Sequence, residues 1–389
     1  MTRDRLLFYC QHSLGLGHLA RSLRLAEGLT ERFDVRLLNG GRFPAGTTVP
    51  AGVSVLNLPP LGHDADSQLV SHDPAYQVEQ ACARRTELLL AALDEARPAV
   101  LLIEMYPFGR RKFEFELVPL LDAVAALGAD RPRVVCSLRD ILVQRATGQR
   151  KHDERAVTRL NASFDAIVMH ADPAFATLEE SFQPATPLRV PVHYTGFVAP
   201  PAPEPVTHRL DRLVVSSGGG MVGEPLVRAA VEVHRDLFIR TGLRTTVVAG
   251  PFLPEPVWAW LREQATHSPV LEVVRRVDDL AGEIARSALS LSQGGYNTTM
   301  DLLRAGTPAV VVPFADGGEN EQTARTSRLA ELGVLRMVPA AALGDRQRLL
   351  AALVAAAAAQ PAPVRLDLSG AERTASILAG VATPLEALR

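Results

Sequence analysis

The sequence predicts an α/β protein of two Rossmann-like domains, each built on a doubly wound parallel sheet. Three observations lead to this prediction. Short apolar runs alternate with longer segments of helical period along the chain. A proline-rich stretch interrupts this alternation near the middle. The length of 389 residues suits two domains of roughly 150 to 200 residues better than a single core.

The first half consists of predicted strands separated by predicted helices. Most of the strands are apolar nearly throughout, as parallel strands covered on both faces must be. The strands are expected at residues 6–10, 35–38, 53–58, 100–104, 134–138 and 166–170. The helices are expected at residues 18–29, about 74–96, 113–127 and near 154–163.

The alternation stops after Val198, where four prolines fall within residues 199–205. We therefore predict a first domain at 1–198, a proline-rich linker at 199–210 and a second domain at 211–368. Strands of the second domain are expected at residues 213–216, 245–249, 271–274, 288–292, 309–312 and 335–338. A last helix within 369–389 is expected to pack back toward the first domain.

Composition narrows the class of protein. The chain carries 41 basic against 43 acidic residues, which argues against a nucleic-acid-binding scaffold. Three cysteines, Cys10, Cys82 and Cys136, are too few and too scattered for a disulfide framework or a CxxC metal site. The first apolar run is too short for a signal sequence or a membrane span. We therefore expect a cytoplasmic, unprocessed chain.

The loop after the first strand is the first candidate site, because ligands of open α/β sheets bind at the carboxyl ends of the strands. Gly15 and Gly17 permit a close backbone approach, and the helix that follows presents free N–H groups. His18 ends this glycine turn, and His12 precedes it. The plain alternative for His18 is a polar residue at a helix N-terminus.

Two glycine turns follow strands of the second half. The turn at Ser217, Gly218 and Gly219 is either a phosphate cradle or merely a flexible loop, since it holds no cation. A stronger signal follows the strand at 288–292, where Gly294 and Gly295 lead into a helix.

That helix carries polar residues suited to a nucleotide. Asn297 and Thr298 are predicted to cap it, so that its first N–H groups meet a phosphate. Asp301 lies four residues after Asn297, hence on the same helix face, and is suited to accept from ribose hydroxyls. Its alternative role is to complement the helix dipole. In the polar loop at 313–322, Glu321 and Gln322 are candidates for sugar hydroxyls.

These motifs resemble those of GT-B glycosyltransferases of the family 28 type, whose best-known member adds N-acetylglucosamine to the peptidoglycan lipid precursor. The resemblance covers residues 275–314 and 319–333. In the first half it is confined to the GLGH stretch and to residues 105–116. The chain is also similar to a group of bacterial predicted glycosyltransferases. The resemblance implies two domains that face a cleft.

The resemblance implies a nucleotide-diphosphate sugar in the second domain. Asp301, where relatives usually carry Glu, would bind the ribose, and backbone groups of Val277 would meet the base. The residues that would face the diphosphate and the donor sugar are Gly218, Gly219, Gly294, Gly295, Asn297, Thr298, Glu321 and Gln322. No metal is required by such enzymes, and the DxD sequence Asp64-Ala65-Asp66 is interpreted as a polar loop.

The first domain would then bind the acceptor, with His18 as general base of an inverting transfer. Glu104 is the preferred acid to orient His18, and Asp140 is the second choice. His12 competes for the role of base. On the acceptor side we also expect Gly15, Gly17, Arg110 and Arg111, of which the two arginines belong either to an anion clamp or to a solvated basic helix start.

The predicted reaction moves a sugar from a UDP-sugar, or secondarily a dTDP-sugar, to a hydroxyl or amine of a small-molecule or lipid acceptor. No other cofactor, no nucleic acid and no membrane span are expected, whereas peripheral membrane contact and the oligomeric state stay open. Two alternatives remain. A nucleotide-sugar 2-epimerase of the same fold would carry paired acids where this chain has residues 296–299. A non-catalytic activator of a partner transferase would be expected to lose His18 or the 294–301 motif.

Overall fold

The computed structural model describes residues 3–12, 16–44, 46–64, 68–145, 147–314 and 320–382. Contacts divide the chain into two compact units, Met1–Val198 with Leu366–Arg389, and Ala199–Arg365. Both units have the doubly wound α/β architecture that the sequence predicts. In the part of the chain that is described, no helix is both long and apolar enough to span a bilayer.

The secondary structure alternates as expected. The strands are β1 (Asp4–Cys10), β2 (Phe33–Asn39), β3 (Val53–Asn57), β4 (Leu61–His63), β5 (Leu69–Ser71), β6 (Val100–Glu104), β7 (Arg133–Arg139), β8 (Ala166–His170), β9 (Val192–Tyr194), β10 (Leu210–Ser216), β11 (Arg244–Val248), β12 (Leu271–Val274), β13 (Ser287–Gln293), β14 (Ala309–Val312) and β15 (Arg336–Met337). The helices are α1 (Leu16–Leu29), α2 (Val78–Ala96), α3 (Glu114–Ala126), α4 (Gln149–Ser163), α5 (Glu224–Thr241), α6 (Glu255–Thr266), α7 (Leu280–Arg286), α8 (Tyr296–Ala305), α9 (Glu321–Glu331), α10 (Arg346–Ala357) and α11 (Gly370–Ala382).

Several short elements are absent from the sequence prediction. The antiparallel hairpin β4–β5 and the edge strand β9 have three residues per strand, too few for a hydrophobic period to show. Helix α4 starts five residues before the predicted position, because its first turn is polar on all sides and gives no apolar stripe.

The first unit has a parallel sheet of seven strands in the order β3-β2-β1-β6-β7-β8-β9. Its central strands are buried over most of their length because helices cover both faces. One apolar layer includes α2, α3 and α4, and the other includes α1 and α11. The chain leaves β1 toward β2 and later returns to β6 on the other side of β1. The carboxyl ends of β1 and β6 therefore flank a topological switch point, the usual ligand position in such sheets.

The second unit repeats this plan with six parallel strands in the order β12-β11-β10-β13-β14-β15. Here the switch point lies between β10 and β13, whose following loops are the two glycine turns noted in the sequence. The core combines β10, β11, β13 and β14 with α5, α6 and α10.

Candidate active site

The switch point of the first unit brings together His18 and Glu104. His18 lies in the first turn of α1, and Glu104 is the last residue of β6. The His18 Nδ1 and Glu104 Oε1 atoms are 2.6 Å apart, with the Glu104 side chain fully buried and that of His18 28% exposed. An ionised carboxylate only accepts hydrogen bonds, so Nδ1 donates and Nε2 is left able to accept a proton.

Two arginines also bind the Glu104 carboxylate. Arg21 donates to Oε1, the oxygen that His18 also uses, and the Arg110 guanidinium lies 2.6 Å from Oε2. Burial by itself raises the pKa of Glu104, but Arg110, His18 and Arg21 outweigh it and hold that pKa well below its usual range. Glu104 is thus a buried anion whose hydrogen bonds are provided by three side chains.

The same surroundings keep the His18 imidazole neutral. The pKa of His18 is lowered to about 4, chiefly by burial; Arg110 and Arg21 also lower it, whereas Glu104 raises it. At neutral pH the ring is therefore in the form that accepts a proton.

Arg21 was not among the residues that the sequence singled out. It follows His18 by three positions in α1 and therefore lies on the same helix face. A charged side chain at that spacing from a candidate base is the signal that would have identified it.

The backbone after β6 turns Arg110 back toward Glu104. Both Met105 and Arg110 have positive φ angles, 64° and 62°, an uncommon conformation for residues other than glycine. The turn is fixed by hydrogen bonds from Met105 N to Ser137 O and from Gly109 N to Met105 O. Of the two adjacent arginines, Arg110 pairs with Glu104, and Arg111 is exposed in a short 3₁₀ turn.

The other acceptor-side candidates differ in exposure. His12 is 3% exposed, and its Nε2 lies 2.9 Å from Asn39 Oδ1. Burial also lowers the pKa of His12. Asp140, directly after β7, is fully buried, whereas Gly17 is exposed in α1. Gly15 lies outside the described residues.

A buried arginine that the sequence gave no reason to choose holds the loops around this site. Arg85 of α2 forms an ion pair with Glu116 in which neither side chain is exposed. Its guanidinium also donates to Gly40 O, Pro59 O and Gln11 Oε1, with distances of 2.7, 2.9 and 2.7 Å. It therefore links the chain after β1, β2 and β3.

In the second unit, the glycine turn after β10 is fixed by the loop after β11. Ser217 Oγ donates to Ala249 O at 2.8 Å, so the hydroxyl proton is not available to a ligand. A Cβ atom at Gly220 would lie 2.6 Å from Ala249 O, which explains why glycine is needed there. Gly218 and Gly219 complete the turn, and the space beside the Gly218 Cα is open.

The start of α8 differs from the prediction. Asn297 and Thr298 do not cap the helix, because the extended backbone of Gly295 ends the preceding loop and makes Gly295 the N-cap. Both residues instead lie in the first turn, where backbone N–H groups have no partner within the helix. Asp301 lies one turn further on and is 4% exposed.

Helix α9 supports the glycines that precede α8. Arg325, fully buried, donates to Gly294 O at 3.1 Å and stacks over the Tyr296 ring. A Cβ at Gly294 would lie 2.6 Å from Thr326 Oγ1, so a larger residue would require the Thr326 side chain to move. Sequence reasoning missed Arg325, although it follows Glu321 by one helical turn.

The remaining donor-side candidates are distributed around these elements. Gln322 Oε1 accepts from Phe314 N at 3.0 Å, and Glu321 is 7% exposed. Val277 is half-buried after β12. Residues 315–319 of the fourth loop lie outside the described residues. In the DxD sequence, Asp64 accepts from Gln68 N at 2.7 Å, and Asp66 also lies outside the described residues.

Comparisons with known proteins find similarity to glycosyltransferases. Residues 218–364 match the family model of the glycosyltransferase family 28 C-terminal domain. A relative in Synechococcus sp. (strain CC9605), UDP-N-acetylglucosamine--N-acetylmuramyl-(pentapeptide) pyrophosphoryl-undecaprenol N-acetylglucosamine transferase, is 32% identical over 47% of this chain and 48% of its own length. The protein of the same name in Methylorubrum populi is 32% identical over 44% and 48%. The match thus spans about half the length of these relatives.

Solved structures extend the likeness to nearly the whole fold. The glycotransferase of kitacinnamycin has a TM-score of 0.59 at 18% identity, with 97% of this chain and 94% of that chain covered. MurG of Acinetobacter baumannii has a TM-score of 0.54 at 15% identity, with 97% and 99% covered. Residues 218–364 are therefore similar to the C-terminal domain of family 28 glycosyltransferases, and the chain as a whole has the fold of these solved glycosyltransferases.

Proposed function

We propose that the chain is an inverting glycosyltransferase that moves a sugar from a nucleotide-diphosphate donor to a hydroxyl or amine of an acceptor. The observation that carries this proposal is the hydrogen bond between His18 and the buried Glu104 at the switch point of the first unit. The pair leaves one ring nitrogen as a base, fixed by a carboxylate that stays ionised.

In this mechanism His18 Nε2 removes the proton of the acceptor hydroxyl as that oxygen attacks the anomeric carbon. One base and one in-line displacement leave no covalent sugar intermediate, so the configuration inverts. The departing diphosphate needs an electrostatic partner, which the glycine turns and the N-terminus of α8 would provide without a metal. Asp301 would hold the ribose.

The relatives suggest the donor. Those named above are UDP-N-acetylglucosamine transferases with a lipid-linked acceptor, so a UDP-sugar is the first donor to test and a lipid acceptor the first class. A dTDP-sugar is the second donor. The low cysteine content fits a cytoplasmic location. The epimerase is not favoured, because residues 296–299 hold none of the paired acids that such an enzyme would carry. The non-catalytic activator is not favoured, because both His18 and the 294–301 motif are present.

Donor binding is tested by a thermal-shift panel of UDP, dTDP and GDP with their sugars. We expect UDP to raise the melting temperature and Asp301→Asn to weaken binding by about one to two decades, because a charge-assisted hydrogen bond is lost. Asp278→Asn, an exposed acid after β12, is the control. Unchanged affinity in a folded Asp301→Asn variant would remove Asp301 from the site.

Catalysis is tested with donor at saturation, by nucleotide release with and without acceptor. His18→Ala should lose about two to four decades of turnover while it keeps donor binding. His12→Ala is the comparison, since His12 is buried against Asn39. A His18→Ala variant within a few-fold of the wild type would end this mechanism. Activity that is lost in EDTA and restored by Mg²⁺ would contradict metal independence.

A further inference from the structure

The turn between β13 and α8 packs against α9 on one side. A Cβ atom at Gly294 would lie 2.6 Å from Thr326 Oγ1 and 3.5 Å from Gln322 Cβ, and both of these residues belong to α9. At Gly295, the next residue, no described atom lies within 4 Å of such a Cβ. The turn therefore rests on α9 at Gly294, whereas the described residues leave the space beside Gly295 open.

Arg325 of α9 contacts this turn on both sides of Gly295. Its fully buried guanidinium donates from Nη1 to Gly294 O at 3.1 Å, and its Cζ atom lies 5.5 Å from the centre of the Tyr296 ring. Tyr296 is the first residue of α8, and Gly295 is the N-cap, with φ of −62° and ψ of 149°. One guanidinium group thus links the residue before the N-cap to the residue after it.

The backbone of this turn sets the direction of the first N–H groups of α8. Those groups have no partner within the helix, so they are the ones that can bind an anion. Two consecutive glycines give the backbone more conformational freedom than other residues would, and a contact on each side of Gly295 restricts that freedom. A guanidinium group suits this task, because it is planar and its donors have fixed directions.

Packing alone does not require an arginine at position 325. Burial of a charged group costs free energy unless the group is hydrogen-bonded or paired, whereas an apolar side chain of similar length would fill the space at a lower cost. The contacts with Gly294 and Tyr296 therefore indicate that the geometry of the turn, rather than the volume of the side chain, explains Arg325.

We propose that Arg325 is a positioning residue of the donor site, which holds the backbone at Gly295 so that the first N–H groups of α8 meet the donor diphosphate. Arg325 acts through the turn and not on the donor, since its side chain is fully buried. The inference rests on the proposed function, because that function places the diphosphate at this turn.

The test compares the binding of UDP, UMP and uridine to the full chain and to Arg325→Met. Calorimetric titration measures UDP and UMP, and ligand-observed NMR measures uridine. We expect Arg325→Met to bind UDP at least about tenfold more weakly, UMP less affected, and uridine within about threefold of the wild type. The loss should grow with the number of phosphates, because the N–H groups of α8 are proposed to meet the phosphates.

Thr326→Val is the matched control. Thr326 is the adjacent residue, is 1% exposed and also faces Gly294, but its Oγ1 atom has no hydrogen-bond partner among the described residues. Valine has nearly the same shape, so UDP affinity should not change. A purely structural role for α9 would instead weaken all three ligands together. Equal losses for UDP and uridine in Arg325→Met, or equal losses of UDP affinity in Arg325→Met and Thr326→Val, would overturn the proposal.

Arg325→Lys tests the geometry of the side chain. It keeps the charge and a donor but not the planar group over the Tyr296 ring, so its UDP affinity should lie between those of the wild type and Arg325→Met. If Arg325→Met does not fold, Arg325→Lys serves alone. A loss of UDP affinity without a loss of uridine affinity is then expected, and unchanged UDP affinity would overturn the proposal.

The wild-type chain separates this inference from the proposed function. If it binds UDP and Arg325→Met binds UDP equally well, the positioning role is rejected and the proposed donor stands. If the wild type binds neither UDP nor dTDP, the proposed function is rejected, and the positioning role falls with it.

Discussion

His18 and Glu104 are 86 positions apart in the sequence, and they meet because β1 and β6 are neighbours in the sheet. The sequence could predict this meeting, since His18 follows one strand and Glu104 ends another at the same edge of a parallel sheet. It could not predict Arg21 and Arg110 on the same carboxylate. Their positions depend on side-chain reach and on a backbone turn with positive φ, neither of which a hydrophobic pattern encodes.

Substitution of Arg21 tests how the charges around Glu104 set the pKa of His18. Arg21→Met removes a cation that lowers the pKa of His18, so that pKa should rise above about 4, while burial and Arg110 still hold it below the ordinary value of about 6.5. The acid limb of kcat/KM should then move to higher pH, because a larger fraction of His18 is protonated below neutrality. Arg21→Lys keeps the charge and should retain most of the original profile.

The measurement is an NMR titration of His18, which needs no acceptor, followed by a pH profile of turnover. Unfolding in urea checks that Arg21→Met is folded. A folded Arg21→Met variant whose His18 pKa stays at the wild-type value would show that Arg21 has only a packing role.

At the scale of elements, the two glycine turns of the second unit follow β10 and β13, the neighbours at its switch point. The strand patterns and the glycines in the sequence predict the positions of these two turns. The support from α9 was not predicted, because Arg325 reaches Gly294 O only after the helix packs beside the strand. The N-cap of α8 was predicted wrongly. Asn297 and Thr298 are of residue types that favour the N-cap, but the helix starts at Tyr296, so Gly295 occupies the N-cap position.

Arg85 tests how α2 fixes the loops of the first unit. Arg85→Met leaves Glu116 as a buried carboxylate without its cation, and we expect a loss of about 3–5 kcal/mol in the free energy of unfolding. Arg84→Met is the control, because Arg84 is the adjacent residue and its side chain is 49% exposed; its effect should stay within about 0.5 kcal/mol.

Two spectroscopic measures of unfolding report on different parts of the chain. Both tryptophans, Trp258 and Trp260, lie in the second unit, so tryptophan fluorescence follows that unit and circular dichroism follows both. Arg85→Met should shift the circular-dichroism transition and leave the fluorescence transition in place. Equal stability of Arg84→Met and Arg85→Met would contradict a structural role for the buried pair.

At the scale of the whole molecule, the first unit is assembled from two distant parts of the chain. The sequence suggests a return of the last helix, but an amphipathic pattern does not say which surface a helix covers. The structure supplies the contact: α11 packs on α1, and Ala375 and Leu378 join the apolar layer beneath β1.

Helices α1 and α11 approach each other closely at Gly28. A Cβ at Gly28 of α1 would lie 2.7 Å from Ala371 Cβ and 3.1 Å from the Ala371 carbonyl carbon. Neither atom is the end of a flexible side chain, so Gly28→Ala must push the helices apart at a cost of about 1–3 kcal/mol. The better helix propensity of alanine offsets about 1 kcal/mol of this loss.

Gly380→Ala in α11 separates the two effects. No described atom lies within 4 Å of a Cβ at Gly380, so this variant gains helix propensity without a clash. The difference between the two variants in the free energy of unfolding of the first unit should therefore be about 1–3 kcal/mol, with Gly28→Ala the less stable. UDP binding should be unchanged in both, because the proposed donor site lies in the second unit, whereas α1 and α11 belong to the first. If urea unfolding gave the two variants the same stability, the close crossing of α1 and α11 would be wrong.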